Sequence, residues 1–244
     1  LLSQFYYTHA SPTLFNAGTR SPQLASCFTL DVQDSMHEIY DALTNCALIS
    51  KNAGGIGFSV SKVRGNNSFI KGTNGRSEGI VKMLKVFNET AKFSNQGSKR
   101  NGAFAAYLEP WHCDIIEFLH LRKKNGVEGK TARDLFYGLW IPDLFMEKVE
   151  TDSEWYLMSN DTSPGLTDVY GEEFNELYNR YVAEGKYRKK VNARDIWNEI
   201  LTSQTETGMP YMMYKDAVNI KSNQKNIGVI HSGNLCAEQI QVTN

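Results

Sequence analysis

Short apolar runs alternate with longer amphipathic ones along this chain, and that alternation limits most strongly what it can fold into. Residues 26–32 (SCFTLDV), 55–64, 103–111 (AFAAYLEPW), 134–141 (DLFYGLWI), 154–159 and 209–216 (MPYMMYKD) read as strands. Between them, 34–55, 77–94, a stretch opening at Pro110 and running through DIIEFLHL, another opening at Pro142, 172–184 and 193–207 read as helices. Ser35 and Glu38 have capping-box spacing, and the glycines at 54 and 55 stop the first long helix. In the second, Ile80, Met83, Leu84 and Phe87 share a face. Asn192 caps the last helix and Gly208 closes it. Strands alternating with helices predict an α/β domain. Neither an internal repeat nor a low-complexity linker divides its 244 residues.

Charge narrows the function. With 26 Lys and Arg against 27 Asp and Glu, the formal net charge is −1, which argues against binding nucleic acid or a membrane through charge alone. No apolar run approaches the length of a membrane span, and no signal peptide is visible. Cys27, Cys46, Cys113 and Cys236 form no CxxC pair and no zinc-type spacing with histidine, so no metal site is expected. A reducing, cytoplasmic setting is expected, in which any disulfide is transient and chemical.

The segment SGNLCAEQIQV (232–242) sets an amide, a thiol and a carboxylate two residues apart, a weak signal by itself, and by residue pattern alone Cys27 and Cys236 read as structural. If it is extended, Asn234, Cys236 and Glu238 fall on one side. A carboxylate beside a thiol raises its pKa, and no histidine is placed in sequence to activate Cys236, so a cysteine hydrolase is disfavoured. One-electron chemistry remains, in which a neutral thiol loses a hydrogen atom. Cys27 lies on a strand next to Ser26. Cys46 and Cys113 read as small buried apolar residues, and His112 and His120 as ordinary surface or half-buried histidines, not ligands.

The motifs ASPTLFNAGT, QLASCF, ALISKNAGGIG, GTNG, QGSKRNGAFA, YLEPWH, ARDLFYGLWIPDLFM, PGL, SQTETGMPYMMYKD and NLCAE occur in one order along essentially the whole chain. Together they resemble the large, catalytic subunit of class I ribonucleotide reductase, and look closest to its eukaryotic-type branch. The resemblance implies a ten-stranded α/β barrel, of which residues 1–244 would supply about the first half. The family's N-terminal ATP-cone and the second half of the barrel would lie outside. It implies that NLCAE is a finger loop reaching the barrel centre. There Cys236 becomes the thiyl that takes the 3′ hydrogen of a ribonucleoside diphosphate, Glu238 is the base on the 3′-OH, and Asn234 holds the sugar hydroxyls. Cys27 would be a reducing cysteine whose partner lies beyond Asn244, recycled by thioredoxin or glutaredoxin. Ser11, Thr13 and Ser26 match positions near the substrate's sugar and phosphates, and Gly54 and Gly55 would admit the nucleotide closely.

Residues 64–72 match the family's first specificity loop and 95–102 its second, where Asn101 stands in place of a frequent proline. The resemblance implies a dNTP or ATP effector at the interface of a homodimer, with Asp34 on its ribose, Arg64 on its phosphates, and Gln96 and Arg100 relaying its identity. By residue pattern alone QGSKRNG is a solvated basic turn. The radical would come from a separate metal-containing small subunit, with no cofactor bound directly. Two other readings stand beside this one. An adenosylcobalamin-dependent ribonucleotide reductase shares the thiyl cysteine, the glutamate and the reducing cysteine. A nucleotide-binding fragment would not catalyse anything alone.

Overall fold

A computed structural model of the chain describes residues 1–20, 22–94, 102–125 and 129–243. After a short 3-10 turn come α1 (Ser11–Asn16), β1 (Cys27–Asp31), α2 (Met36–Lys51) and β2 (Gly55–Ser59). A two-stranded ribbon, β3 (Phe69–Ile70) and β4 (Gly75–Arg76), leads to α3 (Gly79–Phe93) and β5 (Ala103–Leu108). Then follow α4 (Ile115–His120), β6 (Phe136–Ile141), α5 (Asp143–Glu150) and β7 (Glu154–Leu157). A second 3-10 turn (Leu166–Asp168) precedes α6 (Gly171–Ala183), β8 (Lys189–Asn192) and α7 (Ala193–Thr207). The last elements are β9 (Tyr211–Tyr214) and α8 (Lys215–Lys221).

The central sheet has the order β1-β2-β5-β6-β9, and every pair in it is parallel. Sequential parallel strands require crossovers: α2, α3 and α4 lie in the first three, and α5, α6 and α7 in the one from β6 to β9. The α/β reading therefore holds.

Period-two alternation sorts the strand residues onto two faces. Ile56, Phe58, Phe104, Ala106, Leu108, Tyr137, Leu139 and Ile141 point to the helices. They pack with Cys46 of α2 and with Ile80, Leu84 and Phe87 of α3 in one buried core. The rings of Phe58 and Phe87 stand 4.9 Å apart. On the other face Ala105, Tyr107 and Trp140 meet Ile230 and Leu235 of the C-terminal segment. Both faces are thus covered, as a parallel sheet requires.

Three expected caps are present: Ser35 Oγ accepts from the Glu38 N–H and Asn192 from the Arg194 N–H, while Gly208 takes φ 73°. The stop expected at Gly54 and Gly55 comes earlier: α2 ends at Lys51, Ala53 takes φ 64°, and Gly55 already pairs with Cys27 in β2.

Several boundaries move for identifiable reasons. The helix expected from Pro110 begins only at Ile115, because 109–115 makes tight turns: His112 N–H donates to Glu109 C=O and Ile115 N–H to His112 C=O. The helix expected from residue 77 begins at Gly79, where the Asp114 carboxylate accepts from Ile80 N–H at 3.1 Å. The strand expected through Asp216 ends at Tyr214, because buried Lys215 and Asp216 open α8 and bond to neighbouring elements. The segment 232–242, considered above as an extended strand and implied by the resemblance to be a finger loop, makes a turn. Gln239 N–H bonds Asn234 Oδ1 at 3.0 Å, Asn234 N–H bonds Gln239 C=O at 3.1 Å, and Ala237 takes φ 61°.

Candidate functional site

Two elements from opposite ends of the chain build the site: the first residue of β1 and the turn at 234–239. The sulfurs of Cys27 and Cys236 and a carboxylate oxygen of Glu238 all lie within 4.8 Å of one another. The turn, not an extended strand, makes this convergence. It buries Asn234 completely and leaves Cys236 and Glu238 exposed beside it.

The sheet holds that turn in place. Tyr107, fully buried, donates its hydroxyl to Asn234 C=O at 2.7 Å. Trp140 Nε1 donates to Ile230 C=O at 3.1 Å, and the Asn219 side chain brackets the same residue, accepting from Ile230 N–H at 2.8 Å. Room for the segment comes from β2. A Cβ on Gly57 would fall 2.1 Å from Gly233 C=O, and one on Gly55 would fall 2.5 Å from Leu235 Cδ2. Glycines two apart on a strand open one face to a second backbone.

Electrostatics suit a thiol more than a thiolate. Burial first, then the Glu238 carboxylate and Cys236, push the Cys27 thiol up to about 11. Nδ2 of Asn234 is buried without a full hydrogen bond, and its approach to Cys27 opposes that rise. Burial raises the Tyr107 hydroxyl as well, with Tyr211, Cys236 and Glu238 adding to it, so Tyr107 stays a donor. Two thiols and a carboxylate could also hold a soft divalent ion. A hydrogen donor, a hydrogen abstractor and a base can act on one small substrate from that distance.

The other expected residues are placed as follows. Ser26 precedes Cys27, its carbonyl accepting from Gly55 N–H at 2.8 Å. Ser11 and Thr13 lie on α1, away from the turn in sequence, and Asn16 of that helix donates to Gln23 C=O at 2.8 Å. The open side of Gly54 is filled by Ile49 and Phe28, as that of Gly55 is by Leu235, so both glycines serve packing within the chain.

Asp34 and Arg64 line one cavity of about 580 Å³ with Tyr40, Arg76, Lys82 and Met83. They bond each other, Arg64 Nε to Asp34 Oδ2 at 2.8 Å and Arg64 N–H to Asp34 Oδ1 at 3.1 Å. Burial raises Asp34's pKa more than Arg64 lowers it. Asp114 and Ser159 pin the loop after Arg64, accepting from Asn66 N–H and Gly65 N–H at 3.0 Å each. Gln96 and Arg100, with 95–101 of the second loop, lie outside the described residues. Cys46 is fully buried, and burial pushes its thiol up to about 12, as read from its apolar helix face. Cys113 is half-buried beside Asp114. His112, expected at the surface or half-buried, is instead fully buried, because Nε2 lies 2.9 Å from Val63 C=O and Nδ1 accepts from Asp114 N–H at 3.1 Å.

Sequence reasoning missed Tyr107, Trp140, Gly57 and His231. Only the Gly55–Gly57 spacing carried a signal, since glycine inside an apolar strand marks a close approach.

A family model described as ribonucleotide reductase, barrel domain, matches residues 25–244. The ribonucleoside-diphosphate reductase large subunit of Arabidopsis thaliana is 58% identical over 246 residues, a match covering 100% of this chain and 30% of that protein. The large chain of Neurospora crassa is 59% identical over 243 residues, covering 99% and 26%. The large subunit of Caenorhabditis elegans is 58% identical over 243 residues, covering 99% and 31%. The chain spans 26–31% of the length of these relatives.

Proposed function

The chain belongs to the ribonucleotide reductase barrel-domain family, and on that premise we propose that it is part of a ribonucleoside-diphosphate reductase large subunit. Its reaction is thiyl-radical reduction of ribonucleoside diphosphates to deoxyribonucleoside diphosphates for DNA precursor synthesis. The observation that carries the reading is the meeting of Cys27, Cys236 and Glu238 within 4.8 Å.

Cys236, as a thiyl, takes the 3′ hydrogen. Glu238 accepts the 3′-OH proton, and the 2′-OH leaves as water on taking a proton from the reducing cysteine pair. Cys27 then supplies hydrogen to the 2′ carbon, and its elevated pKa of about 11 keeps that hydrogen on the sulfur at neutral pH. Asn234, buried with its amide nitrogen next to Cys27 and without a full hydrogen bond, holds the sugar hydroxyls. Cys236 returns its hydrogen to the 3′ carbon and is again a thiyl, Cys27 is left in a disulfide with a reducing partner cysteine, and thioredoxin or glutaredoxin restores the two thiols.

Partners follow from the same reading. The relatives are named large subunits or large chains, which favours a separate small subunit as the radical source over adenosylcobalamin. The cavity holding Asp34 and Arg64 is a site for a dNTP effector. Exposed Met36 and Tyr40 of α2 and Val86 of α3 line that cavity, and a second large subunit would cover them. No helix among the described residues is long and apolar enough to cross a membrane.

The test is CDP reduction by the full-length protein with dithiothreitol, ATP and a class I small subunit. Cys236→Ser should abolish reduction while dNTP binding persists. Glu238→Gln should lower kcat by roughly 10²-fold or more, the range for losing a general base. Reduction by the Cys236→Ser protein would overturn the reading, and activity only with adenosylcobalamin would reassign the radical source.

A further inference from the structure

His231 stands at the root of the finger segment, next to Ile230, whose backbone Asn219 and Trp140 hold. Its residue is only 8% exposed. Nδ1 lies 3.4 Å from Asp31 Oδ2 at the end of β1. Nε2 lies 3.4 Å from Asp168 Oδ1 on the second 3-10 turn. Lys62 reaches the same two oxygens, at 2.9 Å and 3.4 Å.

Neither ring nitrogen makes a full hydrogen bond. Both contacts are therefore ionic, and their sign depends on the charge of the ring. A neutral imidazole has one N–H and one lone pair, and here the lone pair would face a carboxylate. The imidazolium makes both contacts attractive. With Lys62 it balances two positive against two negative charges, whereas the neutral ring leaves an uncompensated carboxylate. Glu109 also faces His231 from the end of β5, but Lys215 is bonded to both of its oxygens.

We propose that His231 is a positioning residue: its imidazolium pins the root of the finger segment between β1 and the 3-10 turn, and so ties the seating of Cys236 to pH. The energetics agree. Burial opposes the charge on His231, but Asp168 and Asp31 outweigh it and raise its pKa above 6.5. The His231 contact likewise holds the Asp168 carboxyl at about 2. A raised pKa in the folded state means that the pin is complete below 6.5 and is lost as pH rises through the folded value.

The seating itself is tested by hydrogen exchange in the full-length protein, independent of the reading of Cys236; only the activity arm rests on that reading. Exchange of a peptide spanning 230–240 is compared at about pH 6 and about pH 8.5, corrected for intrinsic rates. Wild type should lose protection by roughly threefold or more at the higher pH. His231→Lys, permanently charged, should stay protected at both, and His231→Gln should be weakly protected at both. Asp168→Asn, an isosteric change at a side chain 56% exposed, should move the wild-type midpoint down, with a thermal melt to check its fold. Equal wild-type protection at both pH values would overturn the proposal, as would an unmoved midpoint in Asp168→Asn. In the activity arm, wild-type kcat for CDP should follow the exchange midpoint while KM stays level, and His231→Lys should flatten that limb. Exchange that changes with no matching change in kcat overturns the link to Cys236. Absence of CDP reduction in wild type at every pH counts instead against the reductase reading, and leaves the exchange result to decide the pin.

Discussion

Cys27 and Cys236 sit near opposite ends of the chain, yet their sulfurs and the Glu238 carboxylate lie within 4.8 Å. Their environments differ, Cys27 being buried and Cys236 exposed. A thiol pushed up to about 11 presents little thiolate near neutral pH. Alkylation of Cys27 by iodoacetamide should therefore be slow at about pH 8 and climb toward pH 11, while Cys236 is modified first. Mass spectrometry of the labelled peptides checks this, and equal rates at pH 8 would contradict it. Polar neighbours on or near an apolar run marked the two cysteines only weakly, and the resemblance carried by QLASCF and NLCAE made them candidates. Their meeting was not readable, because the partner of a side chain is set by which strands adjoin. His231 shows this most plainly, since neither Asp31 nor Asp168 is near it in sequence.

At the scale of the element, the finger segment depends on β2 having no side chain where it passes. Gly57→Ala places a Cβ 2.1 Å from Gly233 C=O, a backbone atom that cannot turn aside. The loop must shift, and overpacking of this kind costs about 1–3 kcal/mol. CDP reduction should fall by more than the loss of stability explains. A thermal melt run beside the activity assay separates the two, and wild-type activity in Gly57→Ala would show that the segment does not need its seat on β2. The helices of the opposite face were legible from period and caps, because caps and amphipathic stripes are local. The turn at 234–239 was not. Its bonds between Asn234 and Gln239 are local, but its place on the sheet comes from Tyr107 and Trp140, in strands far upstream.

For the whole molecule, a buried ion pair ties the sheet to its surroundings. Lys215 Nζ lies 2.9 Å from Glu109 Oε2, with both side chains at most 1% exposed, and also donates to Leu166 C=O at 2.7 Å. It joins the residue after β5, the start of α8 and the 3-10 turn that carries Asp168. Lys215→Met leaves Glu109 buried without a counter-charge and should cost about 3–5 kcal/mol in urea unfolding. Adding Glu109→Gln should recover part of that loss. Strictly additive losses would show that the pair does not act as a unit.

The sequence by itself determined the class of fold, most helix ends and the residue types of the site. Hydrophobic period, caps and glycines act over a few residues and leave their mark locally. It also carried the family resemblance that the barrel-domain match bears out. Only the tertiary structure decided that the NLCAE segment turns instead of extending, and that Gly55 and Gly57 make room for it. Only there does His231 meet two carboxylates from distant elements. Each of these depends on parallel strands, crossover helices and the C-terminal segment being brought together, and distance along the chain does not encode that arrangement.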